Sequence, residues 1–293
     1  MTKVQNSDRL ITVVESLSDI TVTLLADFIS GPIGGSAVAI RLAQLGVTVF
    51  PVGVVGEDEA GQKILHTLQE HRISTSGISK LKNYATPASA GTELIHGEHP
   101  ALLNLIEHAR KFASASEAFY ICDHGIGAAS PRALNFIKSN GCLREKTLAA
   151  RSLGRLADFE QLAVATASEE EIERAIGVSI AGDPKKLEVA GAGIVEEMHI
   201  EALLAVSGKS AIAFSGNRKP TSIPLASSAG SHEVDLLGAF FAAALATGAE
   251  AEDAANVAAR IVDYLKAHAV DGKRLRREEL LASLSPKHAG HLR

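Results

Sequence analysis

The fold of this chain is decided by the stretch Gly34-Gly-Ser-Ala-Val-Ala-Ile-Arg-Leu-Ala-Gln-Leu-Gly46 and by the apolar run Thr48 to Val55 that follows it. Val38, Leu42 and Leu45 recur at helical spacing, so we expect a helix between the glycines at either end. Thr48 to Val55 is almost entirely apolar, which is typical of a strand buried on both faces. A helix followed by such a strand indicates an α/β protein with a mostly parallel sheet.

The same alternation continues through most of the chain. The other predicted strands are Ile20 to Leu25, Ala118 to Cys122, Leu162 to Ala165, Leu203 to Val206 and Ala211 to Phe214. Leu10 to Val14 is predicted as a first strand leading to Asp19, with a helix through Ser7 to Leu17 as the alternative. The order predicts a doubly wound, mostly parallel sheet with helices on both faces. We expect one domain over residues 1–293, with a flexible tail from about residue 285.

The composition limits the classes of function. A net charge of -5, 46% hydrophobic and 22% charged residues describe an ordinary globular chain. No basic stripe favours nucleic acid, no apolar segment is long enough to cross a membrane, and the first residues have no apolar signal core. We therefore expect a cytoplasmic protein that binds neither nucleic acid nor membrane. The two cysteines, Cys122 and Cys142, are too few for a disulfide framework or a zinc site.

A second informative stretch is Ser231-His-Glu-Val-Asp-Leu-Leu-Gly-Ala-Phe-Phe-Ala-Ala-Ala-Leu-Ala-Thr-Gly248. We expect an alanine-rich helix to begin at Asp235 and to run to Gly248. The free N–H groups and the dipole of a helix start favour an anion such as phosphate, with the Asp235 carboxylate beside it. The alternative is that Asp235 only caps the helix.

The order of these motifs resembles the PfkB (ribokinase-like) sugar kinase family, and most closely its heptose kinase branch. The resemblance spans nearly the whole chain and is strongest in Gly34 to Gly46, Pro51 to Gly61 and Ile73 to Ile78, with weaker support from Asp253 to Val262. It implies a ribokinase-like fold and ATP-dependent phosphorylation of a sugar or sugar phosphate hydroxyl. ATP and Mg²⁺ are the cofactors it implies if activity or binding is retained.

The resemblance also implies roles for particular residues. Asp235 corresponds to the family's catalytic base, and Gly34 and Gly35 to the turn that contacts the sugar. The acidic sugar ligand after the first strand would be Asp19, or Asp27 if the first strand is Ile20 to Leu25. The alternatives are close helix–strand packing for the glycines and a surface turn for Asp19. The remaining residues assigned by resemblance, on the nucleotide and phosphate side, are Ser207, Gly208, Val234, Gly238 and Asn256. Asp123 and Glu171 are further residues that match motifs of the family.

Several positions depart from the family pattern. His232, Glu233 and Val234 stand where the family has glycines around the phosphate, and Glu233 brings a negative charge to that site. Ser168 replaces the Asn of an Asn-x-x-Glu motif whose Glu is Glu171, a pair that also fits a capping box. Ile126 replaces a lysine of the heptose kinase branch.

The family's strand-rich lid has little room here, because only Ile20 to Ile33 separate Asp19 from Gly34. We expect a missing or much reduced lid, with at most two strands. Three hypotheses follow from these departures: a weakly active carbohydrate kinase, a pseudokinase that binds a sugar, a nucleotide or a protein partner, and a structural subunit without a ligand. A homo-oligomer is compatible with each.

Other clusters of reactive residues carry less weight. We expect the end of a strand at Cys122, Asp123 and His124, and we do not expect Cys122 and His124 to act as a catalytic pair. The histidines His96, His99 and His108 show no recognisable ligand spacing, so no metal site is predicted.

Overall fold

The computed structural model describes residues 3–31, 33–91, 100–159, 161–216, 218–268 and 276–284. A nine-stranded sheet runs through these ranges. Its strands are β1 (Thr21–Ala26), β2 (Thr48–Gly56), β3 (Ile78–Leu81), β4 (Ala118–Asp123), β5 (Thr147–Ser152), β6 (Val164–Ser168), β7 (Ala202–Ser207), β8 (Ser210–Ser215) and β9 (Thr221–Pro224). Their order is β3-β2-β1-β4-β5-β6-β7-β8-β9. Strands β1 to β7 pair in parallel, and β8 and β9 extend the sheet in antiparallel fashion.

Helices cover both faces of this sheet. They are α1 (Lys3–Ser16), α2 (Gly35–Gln44), α3 (Glu59–Glu70), α4 (Pro100–Ala113), α5 (Pro131–Lys138), α6 (Glu169–Ile176), α7 (Pro184–Glu197), α8 (Ser231–Ala246), α9 (Ala251–His268) and α10 (Arg277–Leu284). One apolar core joins the sheet to α1, α2, α3, α8, α9 and α10, and a second joins it to α4, α5, α6 and α7. The predicted doubly wound, ribokinase-like α/β fold is confirmed.

The strand order places a topological switch point between β1 and β4. The chain moves outward from β1 to β2 and β3, and then returns to the other side of β1 with β4. Ligands of doubly wound proteins bind at such a point, beyond the carboxyl ends of the strands. The residues that follow β1 and β4, including Asp27 and His124, lie at this edge.

The predicted first strand at Leu10 to Val14 is wrong, because this segment belongs to helix α1. Leu10, Val13, Val14 and Leu17 are buried at spacings of three and four residues, as one face of a helix requires. The first strand is β1, so Asp19 precedes it and is exposed. Asp27 takes the position directly after the first strand.

The predicted start of α8 at Asp235 is also wrong. The helix begins at Ser231, and the Glu233 carboxylate accepts a hydrogen bond of 2.8 Å from the backbone N–H of Gly230. Asp235 therefore lies inside the helix, beyond its first turn, and does not cap it.

The reduced lid is confirmed. Residues 27–34 connect β1 directly to α2, and their described part contains no strand. Within the described ranges no helix combines the length and the apolar character needed to cross a membrane. The tail expected from about residue 285 lies outside the described residues.

Candidate functional site

Asp235 lies at the centre of a buried group of charges, with no exposed surface of its own. Arg151 Nη1 donates to its Oδ1 at 2.5 Å, and His124 Nε2 lies 3.0 Å from its Oδ2. The Tyr120 hydroxyl donates to the Asp235 carbonyl oxygen at 3.1 Å. Both carboxylate oxygens thus have partners within the protein.

Arg151 links two carboxylates that come from different helices. Its Nη2 donates to Glu171 Oε1 at 2.8 Å and to the Ser231 hydroxyl at 2.9 Å, while Nη1 holds Asp235. The side chain is 1% exposed, and its Nε has no hydrogen-bond partner among the residues that the structure describes. The guanidinium therefore fills the space between the start of α6 and the start of α8.

The pKa values of the two acids are shifted in opposite directions, although Arg151 lowers both. Burial alone would raise the pKa of Asp235, but the Arg151 guanidinium and the His124 ring hold it below its ordinary value. Burial raises the pKa of Glu171 in spite of Arg151. Asp235 is thus an ionised carboxylate with reduced basicity, which is the reverse of what a general base needs.

The start of α8 already has an anion beside it. The Glu233 carboxylate binds the Gly230 N–H, and Lys266 of α9 lies 3.5 Å from the same carboxylate. A negative side chain in the first turn satisfies the helix dipole and repels a second anion. The Glu233 carboxylate therefore stands at the helix start where a phosphate was predicted.

Cys122 and His124 stand beside Asp235, on and just after β4. Their side chains are buried, and Cys122 Sγ lies 3.9 Å from His124 Nδ1. Residues two apart along an extended chain share a face, which brings both side chains toward α8. Burial raises the pKa of the Cys122 thiol well above its ordinary value, so this thiol is not an activated nucleophile.

Asp27 is also fully buried, but its partners are backbone groups. Its carboxylate accepts from the N–H groups of His124 at 2.9 Å, Ile126 at 3.0 Å and Ala129 at 3.1 Å. Burial, with a smaller effect from nearby Asp123, raises its pKa. Asp27 therefore holds the turn after β4 in place and has no oxygen directed at solvent.

Asp123 is held in the same way by its own neighbours. Arg155 donates to both of its carboxylate oxygens at 2.8 Å, and the Ser152 hydroxyl donates at 2.6 Å. This bidentate pair closes the edge between β4 and β5.

The glycines assigned to the site have close packing partners. A Cβ on Gly35 would lie 2.4 Å from Ala26 Cβ, and one on Gly238 would lie 2.4 Å from the Tyr120 hydroxyl oxygen. Gly34 adopts φ +83°, which other residues rarely do. Val234 is buried in the apolar core. Packing thus accounts for Gly35, Gly238 and Val234 without a ligand.

The remaining predicted residues do not gather at Asp235. Ser207 and Gly208 form the exposed turn between β7 and β8, where the Ser207 hydroxyl donates to Glu169. Asn256 donates to the carbonyl of Glu252 within α9. Lys266, which reaches the start of α8, lies ten residues after Asn256 in α9. At a rise of 1.5 Å per residue the two residues are about 15 Å apart along the helix.

Sequence analysis missed Arg151, and with it the strand β5. The signal was a single charged residue inside the short apolar run Thr147-Leu-Ala-Ala-Arg-Ser152. A buried arginine requires acidic partners, and two of the predicted site residues, Asp235 and Glu171, supply them.

A surface cavity of about 680 Å³ lies at the opposite end of the sheet. It is bordered by Leu162, Ala163 and Glu201, which precede β6 and β7, and by the ends of α6 and α7. It contains none of the carboxylates described above. The candidate site is therefore the charged centre at the carboxyl ends of the strands and not this cavity.

Several solved structures with a similar fold are described as sugar kinases. The chain is similar to 2-dehydro-3-deoxygluconokinase from Thermotoga maritima, with a TM-score of 0.67 and 14% identity over 90% of this chain and 99% of that one. Ribokinase from Arabidopsis thaliana, complexed with ribose and ATP, gives a TM-score of 0.67 and 15% identity over 90% of this chain and 98% of that one. Phosphofructokinase-2 from Escherichia coli, in a tetrameric inhibited form, gives a TM-score of 0.63 and 12% identity over 90% of this chain and 99% of that one. No family model and no curated protein matches the sequence.

Proposed function

We propose that this protein is a pseudokinase: it has the fold of ribokinase-like carbohydrate kinases, but it functions by binding a partner and does not transfer phosphate. The observation that carries the proposal is the bridge from Arg151 to Asp235 and Glu171. A general base contributes about 10²–10⁴-fold to a reaction only if it reaches the proton that it removes. Asp235 is enclosed, and its pKa is lowered.

Magnesium and nucleotide phosphate do not fit the residues present. The Arg151 guanidinium fills the space between Asp235 and Glu171, so a magnesium ion cannot lie between these two acids. Glu233 places a carboxylate at the helix start where a phosphate was expected, and a carboxylate repels a phosphate. We therefore derive no step of phosphoryl transfer for this centre.

A carbohydrate kinase that rearranges before it acts is the second candidate. It is favoured by the fold of the sugar kinases and by the position of Asp235 at the carboxyl ends of the strands, near the start of a helix. In that case Arg151 would have to leave Asp235 when substrates bind. The closer resemblance to the heptose kinase branch stays a prediction of the sequence.

Release of ADP from ATP and Mg²⁺ separates the two candidates. The sugars to test are ribose, fructose 6-phosphate, 2-dehydro-3-deoxygluconate and a heptose. We expect no rise in ADP above the rate without sugar, for the wild type and for Asp235→Asn alike. Sugar-dependent ADP release that Asp235→Asn abolishes would refute the pseudokinase and establish the second candidate.

Thermal unfolding with the same compounds identifies the kind of partner. A ligand that binds only the folded protein raises the unfolding temperature. A rise with a sugar or a nucleotide, without turnover, identifies a small-molecule partner. If none of these compounds raises it, we expect a protein partner or a structural role, as a homo-oligomer or in a complex.

A further inference from the structure

Three side chains with metal-binding atoms meet in the buried centre: Cys122, His124 and Asp235. One sulfur, one ring nitrogen and one carboxylate oxygen from these residues lie within 4.8 Å of one another. The hydrogen bond between His124 Nε2 and Asp235 Oδ2 already brings two of these atoms to 3.0 Å. Around a tetrahedral Zn²⁺, with bonds of about 2.0 Å to nitrogen and oxygen and about 2.3 Å to sulfur, neighbouring donor atoms are about 3.3–3.6 Å apart.

We propose that Cys122, His124 and Asp235 form a binding site for Zn²⁺. The Cys122 sulfur, the His124 Nε2 nitrogen and the Asp235 Oδ2 oxygen are the ligands, a soft and borderline donor set that suits zinc. No metal site was predicted from the sequence, because the two cysteines are too few for a usual zinc site and no ligand spacing is recognisable. His124 and Asp235 are 111 residues apart in the chain. The proposal goes beyond the proposed function and does not depend on it.

The ligands are held in place by their surroundings. Cys122 belongs to β4 and Asp235 to α8, two elements that pack directly against each other. Asp27 accepts the backbone N–H of His124, which fixes the peptide that carries the ring. Arg151 holds the other oxygen, Oδ1, of Asp235. Hydrogen bonds of this kind orient metal ligands and are typical of zinc sites.

The charges of the centre favour one added cation. Asp235 and Glu171 share the single guanidinium of Arg151, which leaves one negative charge in excess when both acids are ionised. Binding of Zn²⁺ adds two positive charges, and the Cys122 thiol releases its proton to solvent as the sulfur binds. The net charge of the two acids, the guanidinium, the Cys122 thiolate and the zinc ion is then zero. The His124 hydrogen moves from Nε2 to Nδ1, so that Nε2 is free to coordinate.

Binding of the metal should be insensitive to sugars and nucleotides, because the three ligands lie inside the protein.

Titration of chelator-treated protein with Co²⁺ alone, followed by displacement with Zn²⁺, tests the site. Cobalt bound to a thiolate absorbs in the near ultraviolet, which reports coordination by sulfur directly. The chain has only two cysteines, so Cys142→Ser leaves Cys122 as the sole thiol. We expect this variant to retain the absorption band at one cobalt per chain and to lose it when Zn²⁺ is added.

His124→Gln and Asp235→Asn should each weaken cobalt binding at least tenfold, whereas His108→Gln on α4 should leave it unchanged. Circular dichroism of each variant checks that it is folded. The proposal is overturned if Cys142→Ser shows no thiolate band at one equivalent of Co²⁺, or if the band of the wild type depends on Cys142. Because Cys142→Ser changes only a half-buried residue outside the site, that result is decisive even if the ligand variants fail to fold.

Discussion

Asp27 and Asp235 are both fully buried at the carboxyl end of the sheet, yet their charges are balanced by different groups. Asp27 accepts only backbone N–H groups, from the single turn that follows β4. Asp235 relies on two side chains, Arg151 and His124. Backbone dipoles form a fixed part of the fold, whereas side-chain partners exchange by mutation or movement. The comparison indicates that Asp27 is structural and that any chemistry of this centre belongs to Asp235.

Arg151→Met should have the largest effect, because it leaves Asp235 and Glu171 without their shared cation. Removing one partner of a buried ion pair costs about 3–5 kcal/mol in the free energy of unfolding. Urea unfolding measures this change. The exposed Lys185→Met on α7 is the matched control, and we expect it to change stability by less than about 0.5 kcal/mol.

The triple variant Arg151→Met, Asp235→Asn, Glu171→Gln tests the cause of that loss. Neutral amides remove the uncompensated charge, so the triple variant should recover much of the stability lost by Arg151→Met. If Arg151→Met is no more destabilising than Lys185→Met, the ion pair does not hold the centre together and the contrast with Asp27 fails.

Asp27→Asn should have the second largest effect. The amide has one acceptor oxygen, and its NH₂ group faces N–H donors, so at least one buried backbone N–H loses its acceptor. Such a loss costs about 1–3 kcal/mol in the free energy of unfolding. Asp19→Asn, an exposed exchange of the same type, is the control for urea unfolding and should be nearly neutral. Equal stabilities of the two variants would argue against a structural role for Asp27.

His232→Gln should have the smallest effect, and only below neutral pH. Burial lowers the pKa of His232 in the folded protein. The unfolded chain therefore takes up a proton near pH 6.5 that the folded protein does not, and stability falls as the pH drops through that value. The variant should remove this part of the loss.

Urea unfolding between pH 7.5 and pH 5 measures the His232 effect. Asp235 has a lowered pKa, so its contribution to stability persists in this window and is lost only as the pH falls below its ordinary value of about 3.9. Identical pH profiles of wild type and His232→Gln would show that His232 is not the titrating group.

The sequence predicted those parts of the molecule whose signals are local. The helix and strand of Gly34 to Val55 follow from hydrophobic spacing over a few residues, and the capping box of Ser168 and Glu171 forms as its spacing predicts. The segment Leu10 to Val14 is helical and not the predicted strand, because the helical spacing of its buried residues outweighs its β-branched run. Helix α8 begins four residues before the predicted start, because Glu233 binds the N–H of Gly230 at the helix start as well as departing from the family pattern.

The centre itself could not be predicted in this way. Arg151 is 84 residues from Asp235 and 20 from Glu171 in the sequence, and nothing local to Arg151 indicates either partner. The sequence did identify Asp235, Glu171 and Asp123 as acids of interest. That they are enclosed, and by which cations, depends on the pairing of strands that are distant in the chain.

The register between β4 and β5 sets Arg151 opposite Cys122. A shift of one residue in that register would turn every side chain of β5 to the other face of the sheet. The guanidinium would then enter the apolar core on the side of α4 to α7, and Asp235 and Glu171 would lose their shared cation. A misaligned sheet would therefore bury charges without partners, so the ion pair favours the observed register over its neighbours.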